Sequence, residues 1–320
     1  MLSANTQITL LLTAPLIAGQ NESSDVLTAG EYVKFRKLLM QFDLEPAVLL
    51  SSSDLPREVK ALSETDRYQQ LLGRGFQLTQ VVERWRSRAI WVAGQTDEQY
   101  PKRFIEHMKE HGPPIVYGCG DAELLNTGGL AVVGSRDVDT ELVEFTENIG
   151  RLGALARQTL ISGGARGIDQ AAMRGAAESN GKVVGVLADS LERAAVNREN
   201  RELLLDSKLT LITVFDPSAG FNVGHAMQRN RLIYALSDAA LVVNSDVGKG
   251  GTWAGAIEQL EKLHFVPVYV RSTGQASEGL KALQNKGASP WPNPSTPEDL
   301  VDMLAGSSNG KEEVKQLSFL

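Results

Sequence analysis

The sequence predicts an α/β protein, a doubly wound and mostly parallel sheet preceded by a small all-helical domain. Three observations lead there. From about residue 114 short apolar runs alternate with helical stretches, the runs are nearly continuous in apolar character, and the first 90 or so residues show helical spacing instead. A chain of 320 residues exceeds one typical domain, so we expect a small helical domain over 1–92, the sheet domain over 93–304 and a flexible tail over 305–320.

The elements follow in order. Thr6 to Leu16, interrupted by Pro15, reads as a short buried helix. The apolar stretch from Ile8 to Gly19 lacks the basic flank of a secretion signal, and no run reaches the length of a membrane span. A cytoplasmic protein with no membrane partner is expected. Val33, Phe35, Leu38, Leu39 and Phe42, then Val81, Val82 and Trp85, carry the helical pattern, with a polar loop at Ser51-Ser52-Ser53-Asp54. A connecting segment contains Asp97-Glu98-Gln99-Tyr100-Pro101 and His111-Gly112-Pro113-Pro114. The predicted buried strands are Leu130–Val133, Thr159–Ile161, Lys182–Leu187, Leu209–Phe215, Ala239–Val243 and Phe265–Val270. The last residues pass through Ala-Gly-Ser-Ser-Asn-Gly to an apolar tip at Phe319-Leu320, a pattern of fraying or of a docking peptide.

Composition narrows the function. With 42% hydrophobic and 22% charged residues the chain is ordinary for a globular protein, but its formal charge of −7 argues against coating nucleic acid by bulk attraction. Any such binding has to come from a local basic site. The single cysteine, Cys119, excludes an internal disulfide framework and a multi-cysteine zinc site. His107 and His111 share a helix face at i, i+4, yet lack an acidic or cysteine partner at ligand spacing, so no metal and no cofactor is expected.

In parallel sheets ligands bind beyond the carboxyl ends of the strands, and three predicted strand exits there combine glycine with a cation. The strongest is Ser162-Gly163-Gly164-Ala165-Arg166-Gly167-Ile168-Asp169, where bare backbone N–H groups at a helix start suit a phosphate. Gly134-Ser135-Arg136-Asp137 follows the first predicted strand, without the second glycine of a dinucleotide fingerprint. Lys249-Gly250-Gly251-Thr252 follows the fifth. Gln228-Arg229-Asn230-Arg231 precedes an apolar run and reads as the opening of a helix whose arginines face the strand ends. Each has a structural alternative. The glycines serve tight turns, Arg166 pairs with Asp169, Arg229 and Arg231 clamp acidic residues, Asp169 caps its helix or partners an arginine, and Trp253 is a core or groove-wall residue more than a base platform.

Gly134-Ser135-Arg136, the Ser162 to Asp169 stretch, Glu199-Asn200-Arg201-Glu202-Leu203, Arg229-Asn230-Arg231 with Leu236-Ser237-Asp238, and Lys249-Gly250-Gly251 stand in the order and spacing of the DprA/Smf DNA-processing family. Tyr100-Pro101 and Pro113-Pro114-Ile115-Val116-Tyr117-Gly118 resemble the segment leading into that family's core, and the resemblance covers about residues 95 to 290. It implies an extended Rossmann-like domain that binds single-stranded DNA without catalysis, dimerises, and hands the strand to a RecA-type recombinase in natural transformation. Ser135, Arg136, Ser162, Gly163, Arg166 and Lys249 would then contact phosphates, with Arg229 and Arg231 completing the pocket. Gly134, Gly164, Asn230, Gly250 and Gly251 belong to the same expected phosphate-binding set.

The chain departs from that pattern at Met173, where the family has histidine, at Ala188-Asp189-Ser190 and at Asn244. It also ends too soon for the C-terminal winged-helix domain of many members. These departures suggest a specialised member, for example in anti-phage defence or toxin–antitoxin regulation with a cognate effector. Two other readings stay open. Gly248-Lys249-Gly250-Gly251-Thr252 with Glu258 loosely resembles the motif of nucleotide phosphoribohydrolases, and the same loops would suit a nucleotide-sensing regulator of a partner protein.

Overall fold

Buried apolar runs need sheet neighbours, and in the computed structural model they find them in one sheet of nine strands among the described residues, 2–16, 25–51, 65–275 and 277–306. Strands β3 (Leu130–Val133), β4 (Leu160–Ser162), β5 (Val183–Val186), β6 (Leu209–Thr213), β7 (Ala239–Val242) and β8 (Val268–Val270) correspond to the six predicted runs. All but Tyr269 within them are fully buried, as strands covered by helices on both faces should be.

The sheet order is β1-β2-β6-β5-β4-β3-β7-β8-β9, where β9 is the two-residue Ser289–Pro290. The chain moves outward from β3 through β4 and β5 to β6, then returns to place β7 on the other side of β3. Leu130 and Ala131 pair with Leu160 and Ile161 on one side and with Ala239 and Ala240 on the other, all parallel. The carboxyl ends of β3 and β7 therefore flank a topological switch point, where an open parallel sheet leaves a crevice.

Three strands were not read from the sequence, β9 and two at the opposite edge of the sheet. β1 (Trp91–Gly94) and β2 (Ile115–Cys119) lie inside the expected connecting segment and pair antiparallel to each other, and β2 pairs antiparallel to β6. Gly118 interrupts the β signal of β2, yet its lack of a Cβ is what lets the Trp91 indole lie across the strand. The sheet is thus mixed at this edge.

The helices before the sheet are α1 (Ala4–Thr13), α2 (Ala29–Gln41), α3 (Val48–Ser51), α4 (Thr65–Leu72) and α5 (Gly75–Arg86). Ser3 caps α1 and a Thr28–Glu31 capping box opens α2, each satisfying orphan N–H groups. Ser51 ends α3, while Ser52 to Asp54 of the expected loop lie outside the described residues, as does the tail from 307. This helical layer shares one core with the sheet. Trp85, 0% exposed, meets the Tyr117 ring edge-on at 5.0 Å between centroids, and Leu10, Phe35 and Leu39 belong to the same buried cluster.

Helix α6 (Lys102–Met108) stops where Lys109 takes φ 52°, and a short 3-10 turn carries His111. His107 and His111 therefore do not share a helix face. His107 stacks on Phe265 and bonds the Ala235 carbonyl through Nδ1 at 2.7 Å, and His111 is exposed beside Glu110. The sheet's other helices are α7 (Thr140–Leu155), α8 (Ile168–Glu178), α9 (Leu191–Val196), α10 (Arg198–Leu205), α11 (Val223–Leu236), α12 (Gly250–Glu258), α13 (Glu278–Asn285) and α14 (297–306). Among the described residues no helix is long and apolar enough to cross a membrane.

Candidate nucleic-acid interface

A cleft of about 650 Å³ opens at the switch point. Its walls are the loop leaving β3, the loop leaving β7 with the first turn of α12, and one face of α11 from Val223 to Tyr234 with Phe221 before it, and Ala165 and Asp169 of the turn after β4 also reach it. Of the expected site residues, Gly134, Ser135, Arg136, Arg229, Asn230, Lys249, Gly250 and Gly251 line it. Side chains from one wall bond to backbone of the next. Thr252 Oγ1 donates to the Gly134 carbonyl at 2.8 Å, and Asn230 Nδ2 donates to the Gly251 carbonyl at 2.8 Å. Such cross-bonds tie the walls of the cleft to one another.

The Ser162 to Asp169 turn plays a different part from the one its sequence suggests. Several of its N–H groups are already taken within the chain. Gly163 N–H donates to Asp169 Oδ2 at 3.2 Å, and Ile168 N–H donates to the Ser135 carbonyl at 3.3 Å. The anion in this cradle is the chain's own carboxylate. Ser162 is fully buried and its hydroxyl donates to the Val132 carbonyl at 2.6 Å, so it presents nothing to a ligand. Gly164 and Gly167 take φ of +68° and +88°, which lets the chain reverse into α8 where a side chain would be strained. Neither Ser162, Gly163 nor Gly164 lines the cleft.

Asp169 is buried against Arg229, with Arg229 Nη1 at 3.6 Å from Asp169 Oδ2. Burial pushes the Asp169 carboxyl above the usual carboxylate range, opposed by the Arg229 guanidinium and by the N–H groups of Ala165, Gly163 and Gly134. Burial likewise lowers Arg229, opposed first by Asp169. The helix opening expected at Gln228 lies five residues earlier. Asn222 caps α11 by accepting from His225 N–H at 2.9 Å, so Arg229-Asn230-Arg231 sits in mid-helix. At 100° per residue, Arg229 and Arg231 then point to nearly opposite sides. Arg231 pairs with Glu258 at 2.9 Å and does not line the cleft.

Arg166 pairs with Asp137, both largely exposed, and not with Asp169. Asp137 lines the cleft and Arg166 does not, which leaves Arg166 at its rim. With Asp137 and Asp169 each held by an arginine, the unpaired cleft charges among the described residues are Arg136 and Lys249 against Asp246. The local balance is mildly positive. Helix α12 adds to it, because Lys249 at its N-cap gives no side-chain cap and the first turn from Gly250 lines the cleft with the positive end of the helix dipole.

Sequence reasoning missed Phe221, which lies half exposed in the cleft wall under Arg136. Trp253 lines the cleft while packing partly buried against the core, the groove-wall position expected of it. Among the departures, Met173 is packed partly buried against the core, Ser190 caps α9 by accepting from Arg193 N–H at 3.3 Å, and Asn244 lines the cleft.

The family described as DNA recombination-mediator protein A matches residues 91–304, a span that contains every loop of the cleft. Protein Smf of Escherichia coli is 33% identical over 202 residues, 60% of this chain and 51% of that protein. DNA processing protein DprA of Bacillus subtilis is 24% identical over 239 residues, 72% of this chain and 78% of that protein. In structure, DprA of Streptococcus pneumoniae superposes with a TM-score of 0.64 at 18% identity, covering 86% of this chain and 98% of that one. DprA of Helicobacter pylori, a structure described for its single-stranded DNA binding mode, gives 0.55 at 23% identity over 68% of this chain and 98% of that one. Two curated DNA-processing relatives, a shared fold and a family match over two thirds of the chain agree, and the chain belongs to the DNA recombination-mediator protein A family.

Proposed function

We propose that this chain binds single-stranded DNA, gripping the sugar-phosphate backbone in the cleft between the carboxyl ends of β3 and β7. One observation carries the reading. Arg136 and Lys249 stand without ion-pair partners among the described residues, on two different walls, beside an uncapped helix N-terminus. That arrangement suits successive phosphates in a chain whose net charge is −7 overall, and it predicts salt-dependent, largely sequence-independent affinity. The Helicobacter pylori relative's single-stranded DNA binding supports the ligand class. A homodimer and a RecA-type recombinase as partner belong to the same proposal on the family resemblance, a cognate effector on the departures from its pattern, and a cytoplasmic location and the division into helical and sheet domains on the sequence pattern.

The size of the cleft favours one second reading, a nucleotide-sensing regulator, because about 650 Å³ also accommodates a single nucleotide. The hydrolase reading has less support. Glu258 is engaged by Arg231 away from the cleft lining, and Asp169 is committed to Arg229. Titration with oligothymidylate and with mononucleotides at two salt concentrations, for wild type and Arg136→Ala/Lys249→Ala, separates these readings. A tight oligonucleotide complex weakened by the double substitution supports DNA binding. Equal and weak binding by both proteins rejects it, and saturable binding of mononucleotides alone favours the sensor.

A further inference from the structure

An edge strand presents N–H and C=O groups that no neighbour pairs, and β1 is one edge of the sheet. Antiparallel ladders alternate residues that bond across the pair with residues that point away from it. Gly94 points away from β2, since its N–H donates to Asp97 Oδ2 at 2.8 Å and its carbonyl accepts from the Asp97 N–H at 2.9 Å. Ile90, four residues earlier and so in the same phase, donates its N–H to the Trp85 carbonyl at 3.0 Å. Val92, opposite Tyr117 and midway between these two, therefore faces outward as well. Among the described residues its N–H and C=O have no partner. A groove of about 330 Å³ runs beside this open position, lined by Leu2, Val82, Trp85, Arg86, Val92 and Gln99. Trp85 adds an indole Nε1 that is buried without a hydrogen-bond partner among the described residues. Arg86 is held by an exposed i, i+3 pair with Glu83, a contact worth little in water and readily exchanged for another carboxylate.

We propose that the chain's own tail, residues 312–320, docks here as an added strand on the edge of β1. A free backbone donor and acceptor on one residue are the complement of an extended peptide, and an apolar groove alongside takes its alternate side chains. The tail has that pattern. Leu317 and Phe319 fall on one side of an extended chain, with Gln316 and Ser318 on the other. Glu312 and Glu313 precede them and supply the carboxylates that Arg86 complements. An added strand would pair Val92, set Leu317 and Phe319 against the groove, and cover an edge that otherwise invites association with other chains. None of the groove residues lines the cleft between β3 and β7, so the contact stands apart from DNA binding.

Amide hydrogen exchange of the full chain, resolved at Val92 and along the tail, tests the contact. In wild type the Val92 amide should be protected. Leu317→Asp or Phe319→Asp should speed its exchange about tenfold or more, while Ser318→Asp, on the polar side, should leave it unchanged. Val92→Pro removes the N–H at an edge position where proline is tolerated, and should in turn release the tail amides. Circular-dichroism melts establish that each variant is folded before its exchange is read. Tail amides unmoved by Val92→Pro, or an effect of Ser318→Asp equal to that of Phe319→Asp, overturn the proposal. Protection of Val92 that survives the tail substitutions but falls on dilution overturns it in favour of a second copy paired edge to edge. A Val92 amide that exchanges freely in wild type overturns it too, and leaves the edge open to a partner protein.

Discussion

Arg229 on α11 and Asp169 on α8 form a buried ion pair, 3.6 Å apart and 6% and 5% exposed, that joins the turn after β4 to the wall of the cleft. Arg229 Nε has no hydrogen-bond partner among the described residues, so the pair is held by few contacts beyond its own charges and the backbone N–H groups around Asp169. Removing one charge from such a pair strands the other in a dry site. Asp169→Ala and Arg229→Ala are each expected to cost about 3 to 5 kcal/mol in chemical denaturation. The double variant should cost clearly less than the sum of the two, and additive losses would contradict the coupling.

Gly163 gives that pair its room. A Cβ at this position would overlap the Arg229 guanidinium. Gly163→Ala should therefore destabilise the protein by about 1 to 3 kcal/mol through overpacking, and Arg229→Ala should relieve much of that clash. Thermal melting of the two single variants and the pair measures this, and an Ala at 163 that melts with wild type would show that Arg229 can move aside without penalty.

Charge inside the cleft should govern binding while charge outside it should not. Arg136→Ala and Lys249→Ala should each weaken oligonucleotide binding and reduce the salt slope by about 0.7, the share of one phosphate on a single strand. Asp246→Asn, which removes the unpaired acid of the cleft, should tighten binding. Arg231→Ala should change neither quantity, because Arg231 faces Glu258. Titrations across a salt series decide, and an Arg231 effect equal to that of Arg136 would place the ligand elsewhere.

Acid sensitivity should arise partly in the helical layer. Arg67 and the Thr28 backbone and hydroxyl groups hold the Glu31 carboxyl down at about 2, below its usual 4.5. A folded value below the unfolded one means a contribution to stability that is present above pH 4.5 and lost as pH falls towards 2. Glu31 is 38% exposed, so solvent screening limits the effect to about 1 kcal/mol or less. Glu31→Gln should flatten the acid limb of stability against pH over that window while leaving its shape near neutrality unchanged, as denaturant titrations at several pH values would show.

Trp85 ties the helices to the sheet through Tyr117. Trp85→Ala should cost about 3 to 5 kcal/mol by opening a cavity in the shared core. If the helices and the sheet unfold as one body, far-ultraviolet and near-ultraviolet melts of the variant will shift together. A helical transition that separates from the sheet transition would show two independently stable layers.

The six central strands were legible because burial on both faces leaves continuous apolar runs that no helix period explains. β1 and β2 were not, since four residues from Trp91 and five around Gly118 carry too little pattern, and their pairing depends on the distant edge of β6. The helix start placed at Gln228 erred for a local reason. A polar run resembled an opening, while the true cap, Asn222, sits in a stretch of mixed polarity before Val223. Phe221 escaped notice because a lone aromatic in a loop has no signature until a partner such as Arg136 stands over it.

The sequence by itself determined the class of fold, the strand exits that carry glycine and cations, and the residue types present there. Only the tertiary structure decided which exits meet. Period and composition report how a segment faces the core, but neighbourhood in a sheet depends on pairings over long separations. The return of β7 to the side of β3 brings Lys249 into the cleft that Arg136 lines. Fold geometry also turned Ser162, Gly163 and Asp169 of the predicted phosphate loop inward, because a buried carboxylate must be met by hydrogen bonds and an opposite charge. The buried part of that loop holds the cleft together through the Asp169–Arg229 pair, and the exposed Arg136, Phe221 and Lys249 line it.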